Sequence, residues 1–205
     1  MNRRLGVLIS GRGSNLRAIV GAIRSGELYA DVAVVVSNRP EADGLTFARS
    51  EGIDTVVLRP RDYQDRHAYD RAIADALCAR GVDLVCLAGF MRVVGPPLLE
   101  AFPNRILNIH PSLLPAFPGL DAQAQAVAYG VRVSGATVHV VTSGLDDGPI
   151  VLQAVVPVLD DDTPESLAER ILTEEHKLYP AAIRVLLQGD WHIDGRRFVR
   201  GASGR

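Results

Sequence analysis

Apolar residues fall on consecutive positions in four short stretches of the first half of the chain, residues 5–10, 32–37, 55–58 and 84–88. Continuous apolarity marks strands covered on both faces, as in parallel sheets, whereas strands with one wet face alternate. Between them the spacing predicts helices over residues 15–24, 43–51 and 65–80, the last with Tyr69, Ile73, Ala76 and Leu77 as its apolar face. Strands alternating with helices predict a doubly wound α/β fold with a mostly parallel sheet and right-handed crossovers.

The second half changes character. Residues 105–110 read as a further strand, followed by the proline-punctuated loop Pro111-Ser112-Leu113-Leu114-Pro115-Ala116-Phe117-Pro118-Gly119. A helix of small residues over 122–129 leads to two extended segments, 136–142 and 150–158, joined by Ser143-Gly144-Leu145-Asp146-Asp147-Gly148-Pro149. That connection suits an antiparallel extension of the sheet. Thr163-Pro164-Glu165 is a helix start, with a Thr cap, proline at the first position and an acid in the first turn. The helix is expected to run to Gly189, with a kink before Pro180. Asp194-Gly195 signals a hairpin turn in a short tail. The expected organisation is one domain over 1–189, with a phosphate-binding half to about residue 100, a catalytic half over about 101–189, and a tail of 190–205.

Composition narrows the class. Apolar residues make up 47% and charged ones 22% of the 205 residues, which excludes disorder and small disulfide scaffolds. The 22 basic and 24 acidic side chains leave a net charge of −2, with no basic stripe to hold phosphate backbones, so no nucleic-acid partner is expected. Cys78 and Cys86 lie in apolar surroundings without metal-type spacing and read as buried, reduced thiols. No apolar run reaches the roughly 20 residues of a membrane span. The expectation is a cytoplasmic protein without a membrane partner or a metal site.

Three motifs carry candidate chemistry. Ser10-Gly11-Arg12-Gly13-Ser14-Asn15-Leu16 joins the first strand to the first helix, where glycines let a ligand approach the backbone and the helix start attracts anions. Leu16 stands where a dinucleotide fingerprint wants glycine, and no ribose-binding acid follows the second strand. A small phosphate monoester suits the loop; alternatively Ser14 or Asn15 only caps the helix. In Asn108-Ile109-His110-Pro111 the two polar side chains project to one side of a strand. Pro111 favours a strand end there, where open α/β sheets place ligand clefts. His110 is catalytic or simply structural on this reading. In Leu145-Asp146-Asp147-Gly148 the acids are either turn formers or supply a carboxylate that folds back on His110 and raises its pKa. In the second case His110 and Asn108 could both donate to a developing oxyanion. No activated nucleophile is evident, which favours direct attack by a substrate amine over a covalent acyl-enzyme.

These motifs occur in order with Ala88-Gly89-Phe90-Met91-Arg92 and Pro111-Ser112-Leu113-Leu114-Pro115 between them. In this combination the chain resembles the phosphoribosylglycinamide formyltransferases of the folate-dependent formyltransferase family, from Val7 to about Leu187. The resemblance implies a Rossmann-like formyltransferase fold and formyl transfer from 10-formyltetrahydrofolate, as co-substrate, to the amine of glycinamide ribonucleotide in purine synthesis. It implies that Gly13, Ser14 and Asn15 hold the ribose phosphate. Arg66, Met91, Arg92, Val93, Val94 and Asn108 would meet the folate, and Glu175 the glycinamide. Asn108, His110 and Asp146 would carry the catalysis. Its partners would be these two small molecules, with the protein a monomer or homodimer. The chain departs from the family at Asp121 and Gln123, where histidines are common, and at Ser143 and Gly144, where acids are frequent. His67, His139 and His176 match family contexts and are assigned supporting roles.

Other classes share parts of this pattern. A formyltetrahydrofolate hydrolase uses the same three residues with water as acceptor, but is expected to carry an amino-terminal regulatory domain, and here the first strand begins by Leu5. A methionyl-tRNA formyltransferase is expected to continue past Arg205 into a tRNA-binding domain. A phosphate-metabolite sensor without catalysis would not need Asn108, His110 and Asp146 together.

Overall fold

A computed structural model describes residues 3–201. It resolves into two compact units, Met1–Asn108 and Ile109–Arg205. The first contains β1 (Arg3–Ile9), α1 (Ser14–Arg24), β2 (Ala30–Ser37), α2 (Asp43–Ser50), β3 (Thr55–Val57), α3 (Arg66–Cys78), β4 (Leu84–Leu87), α4 (Pro96–Ala101) and most of β5 (Ile106–His110). Its strands are all parallel, in the order β3-β2-β1-β4-β5. The apolar runs are what the pattern requires: Leu5, Val7, Leu8 and Ile9 of β1 and Val34, Val35 and Val36 of β2 are fully buried. Each such side chain contributes about 1.5–3 kcal/mol by leaving water.

The chain moves outward from β1 to β3 and then returns to place β4 on the other side of β1. Such a reversal is where doubly wound sheets bind ligands, at the carboxyl ends of the two central strands. Here those ends are tied together, because the Ser10 amide donates to the Gly89 carbonyl at 3.1 Å and the Ala88 amide to Leu8 at 2.8 Å.

The second unit contains the end of β5, α5 (Ala122–Tyr129), β6 (Val133–Val140), β7 (Ile150–Pro157), α6 (Pro164–Gln188), β8 (Trp191–Asp194) and β9 (Arg197–Arg200). β6 and β7 pair antiparallel, as do β8 and β9, while β9 meets β7 in parallel at Ile150 and Arg197. The expected antiparallel extension is therefore present, and β6 starts three residues earlier than its apolar run. α6 opens on a capping box: the Thr163 hydroxyl accepts from the Ser166 amide at 3.3 Å, and Ser166 Oγ accepts from the Thr163 amide at 3.0 Å. The helix continues through Pro180, burying Leu167, Ile171, Leu178, Tyr179 and Ile183, and ends at Gly189. In the tail, Trp191 stacks on Phe198 with ring centres 5.1 Å apart.

One expectation fails. Cys86 is buried but Cys78 is exposed. It follows the buried Leu77 by one residue, and one helical step of about 100° turns it off the packed face. Two short elements were also invisible in the pattern, α4 and a 3-10 turn at Pro60–Asp62. Both begin at proline, which reads in sequence as a break.

Candidate active site

In the first unit the glycine loop ends on Gly13, the residue preceding α1, with φ of 72° and no side chain capping the helix. Ser14 and Asn15 are thus the first helical residues, not its cap. A Cβ on Gly13 would lie 2.8 Å from the Cα of Gly44, which itself donates its amide to the Gly11 carbonyl at 3.1 Å. The start of α2 therefore packs directly on the loop. Amides in the first turn of a helix have no intrahelical partners, so the first turn of α1 is suited to a phosphate.

Ser10 joins this loop to the segment after β4, because its hydroxyl accepts from the Met91 amide at 2.9 Å. Beyond it, Arg66 donates to the Val93 carbonyl at 2.8 Å, and the Arg92 guanidinium lies 5.3 Å from the centre of the Tyr69 ring. Burial pushes the Tyr69 hydroxyl up to about 12, the nearby Arg92 charge only partly offsetting it. Met91 and Val93 stand 64% and 51% exposed while Val94 is buried. The segment thus shows an apolar surface on a backbone held from behind.

In the second unit, His110 ends β5, two residues after Asn108 on the same strand. Its Nδ1 lies 3.4 Å from Asp146 Oδ2, and both side chains are largely buried. Nε2 lies 2.8 Å from the Phe117 carbonyl oxygen. Both ring nitrogens therefore face oxygens that only accept. Asp146 Oδ2 also accepts from the Gly119 amide at 2.8 Å, and Oδ1 faces His139 Nε2 at 3.6 Å. Burial acts to raise the Asp146 carboxyl, but the hydrogen bond from His139, the Gly119 amide and the charges of His110 and His139 outweigh it. The group is held below the usual carboxylate range. Asp146 adopts φ of 50°, a left-handed conformation that costs a non-glycine residue energy and is found where placement matters.

Glu175 lies buried in the middle of α6. The next residue, His176, has a buried Nε2 without a hydrogen bond among the described residues, and burial lowers its pKa. Asp121 is exposed at φ of 56° just before α5, and Gln123 is half-buried. Among the described residues no group of three His, Cys, Asp or Glu side chains is placed to hold a metal. No helix among them is long and apolar enough to cross a membrane.

The structure therefore brings His110 and Asp146 together within the second unit, and Asn108, the last residue of the first, stands two positions before His110 in the chain. Gly13, Ser14, Asn15, Arg66, Met91, Arg92, Val93 and Val94 are residues of the first unit, and Glu175 of the second. Sequence reasoning missed Gly44, the linking role of Ser10, and the contacts of Gly119 and His139 with Asp146. For Ser10 the only signal was a polar residue closing an apolar run. For His139 the signal was its match to a family context, which assigned it a supporting role without naming Asp146 as its partner.

These arrangements define a class before any particular relative is considered. The pattern of the formyl transferase family matches residues 3–183, and the chain belongs to that family. Particular relatives agree. Phosphoribosylglycinamide formyltransferase of Bacillus subtilis is 42% identical over 185 residues, covering 90% of this chain and 95% of that protein. The trifunctional purine biosynthetic protein adenosine-3 of Drosophila melanogaster is 46% identical over 189 residues, 91% of this chain. The chain spans only 14% of that longer protein. The crystal structure of glycinamide ribonucleotide transformylase 1 from Symbiobacterium toebii superposes with a TM-score of 0.96 at 57% identity. The match covers 98% of this chain and 94% of that one.

Proposed function

We propose that this protein transfers a formyl group from 10-formyltetrahydrofolate to the amine of 5'-phosphoribosylglycinamide, giving the N-formyl product and tetrahydrofolate. This is a cytoplasmic step of purine synthesis whose two partners are small molecules. The observation that carries the reading is the 3.4 Å approach of Asp146 to His110 in a chain of this family.

Gly13, Ser14 and Asn15 bind the ribose phosphate at the start of α1. Arg66, Met91, Arg92, Val93 and Val94 receive the folate, and Glu175 contacts the glycinamide. The amine nitrogen attacks the formyl carbon while the carbonyl electron pair moves onto oxygen. Asn108 and His110 donate to that oxyanion, His110 through Nε2 once its contact with Phe117 is exchanged for substrate. The intermediate then collapses, and the bond between the formyl carbon and the folate nitrogen breaks with its electron pair going to nitrogen. That nitrogen takes up a proton as the former amine releases one, so the transfer is neutral overall, with His110 mediating it. Asp146 holds the imidazole in orientation and balances its positive charge.

The test is an absorbance assay for tetrahydrofolate release with 10-formyltetrahydrofolate, with and without glycinamide ribonucleotide. Release that requires the ribonucleotide is expected. Release without it would mean that water is the acceptor, and no release with either would mean that the site does not catalyse formyl transfer.

A further inference from the structure

Within the first unit, Asp70 is a buried carboxylate that the scheme above does not use. It lies one turn into α3, with a side chain only 3% exposed. Its Oδ2 faces Arg66 Nε at 3.7 Å and makes no hydrogen bond among the described residues. Burial pushes its pKa up, and the Gly95 amide and the Arg66 charge act to keep it ionised. A buried carboxylate costs stability unless it is paired and hydrogen-bonded, so its partners show which groups it holds in place.

The surroundings of Asp70 are the far end of the 91–95 segment. Gly95 packs so closely that a Cβ there would lie 2.5 Å from Asp70 Oδ2. Its backbone is extended, with φ of −109°, so the glycine is required by lack of space and not by its dihedral angles. Arg66 touches both sides of the arrangement, facing Asp70 with Nε and donating from its other end to the Val93 carbonyl at 2.8 Å. Asp65 caps α3 by accepting from the Ala68 amide at 2.7 Å, which fixes the turn that carries Arg66. With Ser10 holding the Met91 amide, the segment is anchored at its start, middle and end, while the side chains of Met91 and Val93 stay exposed.

We infer that Asp70 is a positioning residue for the folate donor, acting through Arg66 and Gly95 to hold the backbone of residues 91–95 in its binding shape. The inference rests on the reading of that segment as the folate site. Asp70 touches no substrate; it restrains the arginine and the loop that do. Its removal therefore weakens binding of the donor and leaves the phosphate loop and His110 chemistry intact.

Two variants separate its contributions. Asp70→Asn keeps an acceptor for Gly95 and loses the charge facing Arg66, whereas Asp70→Ala loses both. Asp70→Ala is expected to raise the KM for 10-formyltetrahydrofolate about tenfold and Asp70→Asn by less, with kcat and the KM for glycinamide ribonucleotide within about twofold of wild type. Amide hydrogen exchange over residues 91–95 is expected to quicken in the same order. Unchanged donor KM in both variants overturns the inference. So does a fall in kcat with both KM values constant, the signature of a smaller folded fraction. If Asp70→Ala does not fold, Asp70→Asn carries the same comparison. Hydrogen exchange needs no turnover, so unchanged exchange at 91–95 overturns the anchoring even if the wild-type protein proves inactive and the functional reading itself fails.

Discussion

Asp146 Oδ2 lies 3.4 Å from Nδ1 of His110, and the same oxygen accepts from the Gly119 amide at 2.8 Å. One carboxylate thereby fixes both an imidazole and the loop that follows it, while its other oxygen faces His139. The carboxylate sits in a left-handed turn between β6 and β7, and the histidine at the end of β5. This is a placed charge, set where strand and loop geometry leave it little freedom to move away.

Stability in acid follows from that placement. The Asp146 carboxyl is held below its ordinary value of 3.8, so the folded protein resists protonating it more than the unfolded chain does. The stabilisation is complete above that ordinary value and is lost as pH falls toward the lower folded value. Asp146→Asn is expected to show a shallower loss of stability below about pH 4 in urea titrations across pH. Parallel wild-type and variant curves would contradict it.

His176 works in the opposite range. Burial lowers its pKa from 6.5, so the unfolded state binds a proton more readily than the folded one. Stability is unaffected above 6.5 and decreases as pH falls below it. His176→Gln removes this titration, and thermal melts between pH 7 and about pH 5 should then fall less steeply than those of the wild type.

Gly13→Ala places a methyl group 2.8 Å from Gly44 in a residue with φ of 72°. The expected cost is about 1–3 kcal/mol of stability. Because the strain is in the proposed phosphate loop, the KM for the ribonucleotide should rise more than that for the folate. Urea unfolding and steady-state kinetics report the two effects separately.

Thr163→Ala removes one half of the capping box at the start of α6 and should cost about 1 kcal/mol in urea unfolding, with kcat unchanged. An equal loss of kcat would mean that the helix start bears on catalysis.

Much of the fold was legible because burial on both faces leaves a mark in sequence. Residues 5–10 and 32–37 could be read as covered strands, and Thr163-Pro164 as a helix start, from local chemistry alone. α4 was not, since Pro96-Pro97 reads as an interruption and the helix has too few residues to show a period. At the site, Asn108 and His110 could be paired because strand alternation is local. The His110–Asp146 contact could only be proposed, since it joins positions 36 residues apart through loop geometry. Gly44 left no sign, Ser10 only a polar residue closing an apolar run, and His139 only its match to a family context, because each acts through a backbone or side-chain contact that no periodicity encodes. Cys78 misled for a related reason: apolar neighbours in sequence do not say which side of a helix a residue faces.

The central claim is that the Asp146–His110 pair drives transfer of the formyl group. It is tested most directly by kcat for Asp146→Asn at saturating 10-formyltetrahydrofolate and glycinamide ribonucleotide, on protein whose circular dichroism matches wild type. Loss of a group supporting an oxyanion donor predicts a fall of about tenfold or more. A kcat within about twofold of wild type would contradict the claim.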